Sequence, residues 1–352
     1  MIQLILINLI LIFLTIIQVR SQNFLNNFTL VSEANLETDK VIIGELIDFG
    51  VDINNNYIFV DALGKQALIF KNDGKFIQQL GGVGRGPGEY KQPISVSFDQ
   101  YGNIYIVDND LRRISKFDSK FSFIKSFIIE STHFVPGFMK IVSDKIYMDA
   151  YKENWKKNIP GIGDYIVVYS SNGKYLKSFY PVSNWANENN LGYFSKCSFD
   201  IDQKGNIYAV QSTEFIINVL DTNGLINFSF GKQPKYFKQP KPIDDLKSFF
   251  KKPQKDIEDF ENSFTPIENL ILTDDGFVII SVRIPEKLRG NRKEYVIEIY
   301  DSKGKHVVGN IETDYKLLCR DKDNNLYFLT KYEERDPSPP IYRIGKFKLV
   351  VK

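Results

Sequence analysis

The stretch "DQYGNIYIVD", residues 99–108, decides the fold, because the chain repeats it several times. A close copy, "DQKGNIYAV", occupies residues 202–210. Weaker copies are "DINNNYIFVD" (52–61), "DKIYMD" (144–149), "DDGFVII" (274–280) and "DNNLYFLT" (323–330). Each copy joins an Asx/Gly turn to an alternating strand, which is typical of a β-hairpin. Six copies at spacings of roughly 40 to 70 residues predict a repeat architecture.

A second hairpin pattern follows each copy. It reads "ALIFKNDGKFIQQL" (67–80), "RISKFDSKFSFIKSF" (113–127), "IVVYSSNGKYLKSF" (166–179), "INVLDTNGLINFSF" (217–230) and "VIEIYDSKGKHVVG" (296–309). The sixth copy, "IYRIGKFKLVVK" (341–352), ends before its last strand. Together with an inner strand before the turn, one unit is a four-stranded antiparallel meander.

Six such meanders predict a closed ring, since an isolated meander leaves both of its faces unburied and both of its edges unpaired. The strand missing from the sixth unit is supplied by an early segment, either "FTLVSE" (28–33) or "KVIIGEL" (40–46). We therefore predict an all-β fold, a six-bladed β-propeller of four-stranded antiparallel blades over residues 22–352.

The pattern resembles the six-bladed β-propellers of the NHL-repeat class. More narrowly, it is similar to a secreted six-bladed propeller family of Bacteroidetes-like bacteria. The resemblance rests on "GRGPGEY" (84–90) before an inner strand and on D-x-x-G-N-I-Y at Asp99 and Asp202. It implies the fold and export, and it says little about a ligand.

The glycine-rich stretch at residues 81–88 invites comparison with a phosphate-binding loop. A Walker loop needs lysine after its second glycine, and Pro87 stands there instead. A dinucleotide loop is followed by a helix, whereas a strand is predicted here. The glycines fit better as a corner between two blades, because glycine permits positive φ and proline fixes φ.

The N-terminus is apolar from Ile2 to Ile17, a length that suits the core of a signal peptide. We predict a signal peptide at residues 1–21 and a secreted, periplasmic or cell-surface location. An uncleaved N-terminal anchor and a buried helix are the alternatives.

Composition excludes several functions. With 45 basic and 43 acidic residues, the chain has no charge excess suited to nucleic acid. The only two histidines, His133 and His306, exclude a three-histidine zinc site. The predicted inner strands "SVSF", "CSFDI" and "NLIL" hold few carboxylates, so no metal and no cofactor are expected. Cys197 and Cys319 fall on inner strands of different blades, which predicts two reduced thiols.

Loop lengths indicate a binding face. In a meander the second loop of each blade and the link to the next blade share one end of the ring. All four long insertions (150–164, 232–265, 283–294 and 331–340) fall in such connections, where binding sites are common. We predict short helices in 232–265, since Leu246, Phe249 and Phe250 have helical spacing after Asp245. The candidate ligand-binding residues are Arg85, Glu89, Tyr90, Arg112, Arg113, Trp155, Arg283, Arg289, Tyr332 and Arg335.

These features predict an exported, non-catalytic binding protein, expected to be monomeric. It would recognise a protein, peptide or glycan on the loop-rich face, with no nucleic acid and with membrane contact only through an uncleaved N-terminal segment. Two alternatives are a hydrolase or lyase that uses carboxylates around the channel, and a structural scaffold of a surface assembly.

Overall fold

The computed structural model describes residues 24–129, 134–152, 163–334 and 339–351. The predicted signal segment at residues 1–21 lies outside these ranges. Within these ranges, twenty-four strands form six antiparallel sheets of four strands each, so the predicted six-bladed propeller is confirmed.

The strands follow one another from blade to blade. Strand β1 (Phe28–Asn35) comes first in the chain. Blade one consists of β2 (Leu46–Val51), β3 (Tyr57–Asp61), β4 (Gln66–Phe70) and β5 (Phe76–Leu80). Blade two consists of β6 (Pro93–Phe98), β7 (Ile104–Asp108), β8 (Arg113–Phe117) and β9 (Phe123–Ile128), and blade three of β10 (Phe134–Val142), β11 (Lys145–Lys152), β12 (Asp164–Ser170) and β13 (Tyr175–Pro181).

The second half of the chain continues the pattern. Blade four consists of β14 (Cys197–Ile201), β15 (Ile207–Gln211), β16 (Ile217–Leu220) and β17 (Ile226–Phe230). Blade five consists of β18 (Ile267–Leu272), β19 (Phe277–Arg283), β20 (Tyr295–Asp301) and β21 (His306–Thr313), and blade six of β22 (Lys316–Arg320), β23 (Asn325–Glu333), β24 (Ile341–Leu349) and β1. The short helices are α1 (Asn184–Glu188), α2 (Leu246–Phe249), α3 (Gln254–Glu261) and α4 (Glu286–Arg289). Across the described ranges, no helix has the length and apolarity needed to cross a bilayer.

Ring closure uses the first of the two predicted segments. Strand β1 pairs antiparallel with β24, and Phe28 stands opposite Leu349. Phe28 is fully buried and lies with Phe24 in one apolar cluster with Phe328 and Phe347. The two ends of the chain therefore share one sheet and one part of the core.

The repeated motif D-x-x-G-N is explained by turn chemistry. One carboxylate oxygen of Asp99 accepts hydrogen bonds from the backbone N–H groups of Tyr101 (3.0 Å) and Asn103 (2.9 Å). The Asn103 side chain donates to the other oxygen at 2.7 Å. Gly102 has φ +79°, which glycine adopts without strain. The same carboxylate bonds recur at Asp52, Asp202 and Asp321.

A belt of side-chain hydrogen bonds joins the inner strands around the central channel. In each case a polar residue near the middle of one inner strand bonds the backbone of the next. The pairs are Asp48 with Val96 N (2.9 Å), Ser95 with Met139 N (3.2 Å), Ser198 with Leu270 N (2.9 Å) and Asn269 with Leu318 O (3.1 Å). These bonds satisfy backbone groups on the open edge of each inner strand.

The ring has two faces, which we name by their connections. The link face comprises the residues 36–45, 62–65, 81–92, 109–112, 182–196, 212–216, 231–266, 284–294, 314–315, 334 and 339–340, together with the adjoining strand ends, among them Tyr332. The turn face comprises the short turns 52–56, 71–75, 99–103, 118–122, 143–144, 171–174, 202–206, 221–225, 273–276, 302–305 and 321–324.

Candidate binding face

The helices α1 to α4 lie on the link face, and the predicted helical insertion at 232–265 contains α2 and α3. The link at 182–196, which carries α1, was not predicted to be an insertion. It packs against 232–265: the Ile243 N–H donates to the Asn189 carbonyl at 3.0 Å, and Leu191 and Phe249 share one core cluster. The two connections therefore form one structured layer over blades three and four.

Three of the predicted arginines hold the link face together. The Arg113 guanidinium donates to the carbonyls of Arg85 and Gly86, both at 2.9 Å. Arg283 pairs with Glu268 at 2.8 Å, and Arg289 pairs with Glu294 at 3.4 Å. The charges of Arg283 and Arg289 are thus paired inside the protein, and Arg113 donates to backbone carbonyls while its buried Nε atom has no hydrogen-bond partner among the described residues.

The predicted glycine corner is confirmed, and Tyr90 and Glu89 belong to it. Gly81 has φ +75°, and a Cβ there would lie 2.2 Å from the Tyr90 ring. Tyr90 is fully buried beneath the corner and does not reach the surface. Glu89 accepts a hydrogen bond from the Gly86 N–H at 2.6 Å. Both residues shape the loop.

Other predicted residues remain at the surface. The guanidinium groups of Arg85 and Arg112 have no hydrogen-bond or ion-pair partner among the residues that the structure describes. Tyr332 is 49% exposed, packs against Tyr342 in a tilted arrangement with ring centroids 5.0 Å apart, and donates to Glu334 at 2.9 Å. The two remaining candidates, Trp155 and Arg335, lie outside the described residues.

Sequence reasoning missed the most exposed aliphatic side chains of this face. Ile42, Val83 and Leu63 are 87%, 71% and 69% exposed. Leu63 lies against Gly44, and the Tyr342 hydroxyl donates to the Gly44 carbonyl at 3.5 Å, so blade six and blade one meet here. We name Ile42, Leu63, Val83, Arg85, Arg112 and Tyr332 the link-face patch. Aliphatic residues inside polar connections were the signal that could have found it.

The central channel holds more charge than the sequence suggested. Asp48, Asp149 and Asp200 lie on or beside inner strands, and Lys140 pairs with Asp200 at 3.5 Å. Burial raises the pKa of Asp48 to about 6, against hydrogen bonds from Val96 and Ser95 that lower it. The sequence places Asp200 on a predicted inner strand but does not assign Asp48 to one.

Among these carboxylates, Asp149 is the one whose hydrogen-bonding capacity is least satisfied. Burial raises its pKa to about 7, although the Phe138 N–H hydrogen bond lowers it. Its Oδ1 atom is buried without a hydrogen-bond partner. A Cβ on Gly137 would lie 2.0 Å from that atom, which explains glycine at this bulge. Over the described part of the chain, no three His, Cys, Asp or Glu side chains are arranged to hold a metal ion.

The cysteines are placed as predicted. Cys197 begins β14 in blade four, and Cys319 lies on β22 in blade six. Both are free thiols, Cys197 buried and Cys319 half-buried. Burial raises the pKa of the Cys197 thiol well above its usual value, so this thiol is protonated and unreactive at neutral pH.

A family model described as a 6-bladed beta-propeller, DUF5128, matches residues 15–233, more than half of the chain. The chain belongs to this family. No functionally curated protein is significantly similar to it in sequence.

Solved structures share the DUF5128 propeller fold at low sequence identity. A candidate exported protein of Bacteroides fragilis is 14% identical, with a TM-score of 0.61 over 92% of this chain and 96% of its own. A DUF4221 family member of Bacteroides vulgatus is 10% identical, with a TM-score of 0.60 over 93% and 99%. A catalytically inactive virginiamycin B lyase of Staphylococcus aureus with quinupristin is 10% identical, with a TM-score of 0.51 over 87% and 80%. At these identities the likeness concerns the fold alone.

Proposed function

We propose that this propeller is exported and acts as a non-catalytic binding protein, and that a protein or peptide docks on the link-face patch. The observation that carries the proposal is the exposure of Ile42, Leu63 and Val83, each at least 69% exposed on structured connections. Large exposed aliphatic side chains gathered at one end of a rigid ring are candidates for an interaction surface.

The charges near the patch favour the same kind of ligand. Arg85 and Arg112 add unpaired guanidinium groups beside the aliphatic residues, and arginine is enriched in protein interfaces. Arg113, Arg283 and Arg289 bond within the protein, so these three cations do not converge on a site for phosphate or sulfate. A largely apolar surface with two cations suits an acidic and apolar peptide segment better than a small anion.

Export is supported by two observations. The first is the apolar stretch from Ile2 to Ile17, which has the length of a signal-peptide core. The second is the Bacteroides fragilis relative, which is named as a candidate exported protein.

The experiment compares two matched surface variants in capture of proteins exported by the same cells. Leu63→Glu with Val83→Glu places two charges in the patch. Leu225→Glu with Tyr101→Glu places two charges on turn-face positions that are 68% and 66% exposed. We expect the patch variant to lose at least nine-tenths of the partner recovered by the wild type, and the turn-face variant to retain it. Equal recovery by both variants would refute the proposed face.

A second candidate function is a hydrolase or lyase centred on the channel, and the specific observation behind it is Asp149. A carboxyl group with a pKa of about 7 and an unpartnered oxygen suits general acid–base catalysis. The test is turnover of a panel of chromogenic esters, glycosides and cyclic lactones by the wild type and by Asp149→Asn. Activity that is present in the wild type and lost in the variant would favour the enzyme over the binding protein.

A further inference from the structure

Two blades of this protein bind a lysine ammonium group in the same way. In blade two the Lys116 ammonium lies 3.4 Å from Asp99 and 4.8 Å from the centre of the Tyr105 ring. In blade six the Lys346 ammonium lies 3.2 Å from Asp321, over the Tyr327 ring.

The tyrosine of each set also bonds the carboxylate that holds the ammonium. The Tyr105 and Tyr327 hydroxyls donate to that oxygen at 3.0 and 2.9 Å. A carboxylate at a turn and a tyrosine ring on the second strand of the blade thus form a binding site for an ammonium group, which we call the seat.

Blade four has the carboxylate and the ring but no lysine. Tyr208 stands opposite Val219, whereas Tyr105 stands opposite Lys116 in the same register. The Tyr208 hydroxyl donates to the Ser302 carbonyl at 3.1 Å instead of to Asp202. Among the residues that the structure describes, the Asp202 oxygen that faces the seat therefore accepts a bond from Asn206 alone, at 2.8 Å.

This seat opens into a cleft on the turn face, between blades four and five. The cleft has a volume of about 240 Å³, and Asp202 and Tyr208 both line it. At the equivalent boundary of blades one and two, Ile53 fills the gap, because a Cβ on Gly102 would lie 2.4 Å from it.

The residue that fills the gap in blade one is replaced in blade four. Gln203 follows Asp202 as Ile53 follows Asp52, and Gly276 takes the place of Gly102. A Cβ on Gly276 would meet only the Ser302 side chain, at 3.5 Å or more. The polar Gln203 leaves the boundary open to solvent.

The charges lining the cleft favour a cation. Arg320 pairs with Asp274 at 3.1 Å, so these two charges compensate each other. Asp202 and Asp275 then face the single cation of Lys204, which leaves about one negative charge. One added ammonium group restores the balance found in blades two and six.

We propose that this blade-four cleft binds a primary ammonium group of a ligand, held by the Asp202 carboxylate against the Tyr208 ring as Lys116 and Lys346 are held in their own blades. A lysine side chain of a peptide and a small diamine carry the same group. The site lies on the face opposite the link-face patch and does not depend on the proposed function.

The test is ligand-observed saturation-transfer NMR with the purified protein at low ionic strength. The probes are acetyl-Gly-Lys-Gly-amide, its Nε-acetyllysine form, its arginine form and 1,4-diaminobutane. We expect transfer to the protons next to the lysine ammonium, and binding at least tenfold weaker after acetylation. The ranking of the peptide against the diamine identifies the source of the ammonium group.

Two variants and a matched control locate the site. Gln203→Ile should fill the cleft as Ile53 does and weaken binding at least tenfold, while Gln100→Ile, at the equivalent position of blade two, should leave it unchanged. Val219→Lys should place an ammonium group of the protein itself in the seat, where it competes with the ligand. If this variant fails to fold, the result for Gln203→Ile alone tests the proposal. Equal binding of the acetylated peptide, equal effects of Gln203→Ile and Gln100→Ile, or no binding of any amine would overturn the proposal.

Discussion

The Asp48 carboxylate accepts a hydrogen bond from the Val96 N–H, 2.9 Å away, across the boundary between blades one and two. The same kind of bond recurs at other boundaries, so neighbouring blades are joined by polar bonds near the channel as well as by the apolar clusters between them. The inner strands have no strand partner on the channel side, and these side chains serve the exposed backbone edge.

Removal of one such bond should weaken the ring. Ser198→Ala leaves the Leu270 N–H without its 2.9 Å acceptor, and an unsatisfied buried donor costs about 1–3 kcal/mol. Urea unfolding should show this loss. Ser126→Ala, on the outer strand of blade two, should change the free energy of unfolding by less than about 0.5 kcal/mol. Equal effects of the two substitutions would show that the belt adds nothing to stability.

Channel carboxylates should make the stability depend on pH. Because the pKa of Asp149 is raised to about 7, the folded protein keeps a proton that the unfolded chain releases above about pH 4. The free energy of unfolding should therefore fall as the pH rises from about 4 to about 7. Asp149→Asn carries no charge and should be more stable than the wild type at pH 8, by about 1 kcal/mol or more, with little difference at pH 4.

Urea titrations at pH 4, 6 and 8 check this, with the exposed Asp110→Asn as control. A variant less stable than the wild type at pH 8 would show that the ionised carboxylate of Asp149 is satisfied in the folded protein.

The turns of this fold could be predicted because their causes are local. Asp99, Gly102 and Asn103 meet their partners within five residues, so the motif in the sequence is also the bonding unit. Because this turn motif recurs along the chain, the number of blades could be predicted as well. Ring closure followed from one missing strand, which β1 supplies.

Side-chain roles across blades could not be predicted in this way. Asp48 and Val96 are 48 residues apart, and nothing near Asp48 in the sequence indicates its partner. Arg113 belongs to a charged loop in the sequence, yet its guanidinium bonds the carbonyls of a glycine corner 27 or more residues earlier. Such roles depend on which chain segments the ring brings together.

Ring closure should depend on buried aromatic side chains of β1. Phe28→Ala removes a fully buried ring that packs on Phe24 and Phe328, and such losses cost about 3–5 kcal/mol. Leu30→Ala, on the same strand at 47% exposure, should cost less than about 1 kcal/mol. Chemical unfolding measures both values. Similar small losses for both would mean that β1 docks loosely and that the other strands hold the ring.

The glycine corner should be sensitive to a single methyl group. Gly81→Ala adds a Cβ that would lie 2.2 Å from the Tyr90 ring at a φ of +75°, so we expect a loss of about 3 kcal/mol or more. Gly290→Ala also has positive φ, but nothing lies within 4 Å of its Cβ, and the expected loss is about 1 kcal/mol. Thermal unfolding separates the two. Equal losses would indicate that backbone strain, and not the contact with Tyr90, fixes the glycine.

The most direct test of the proposed binding face is site-specific photo-crosslinking in the cells that produce the protein. Benzoylphenylalanine is placed at Leu63 on the link face and, in a second strain, at the equally exposed Leu225 on the turn face. The proposal predicts a discrete protein adduct from Leu63 that is lost when Val83→Glu is added, and no such adduct from Leu225. An adduct from Leu225 alone, or no adduct from Leu63, would contradict it.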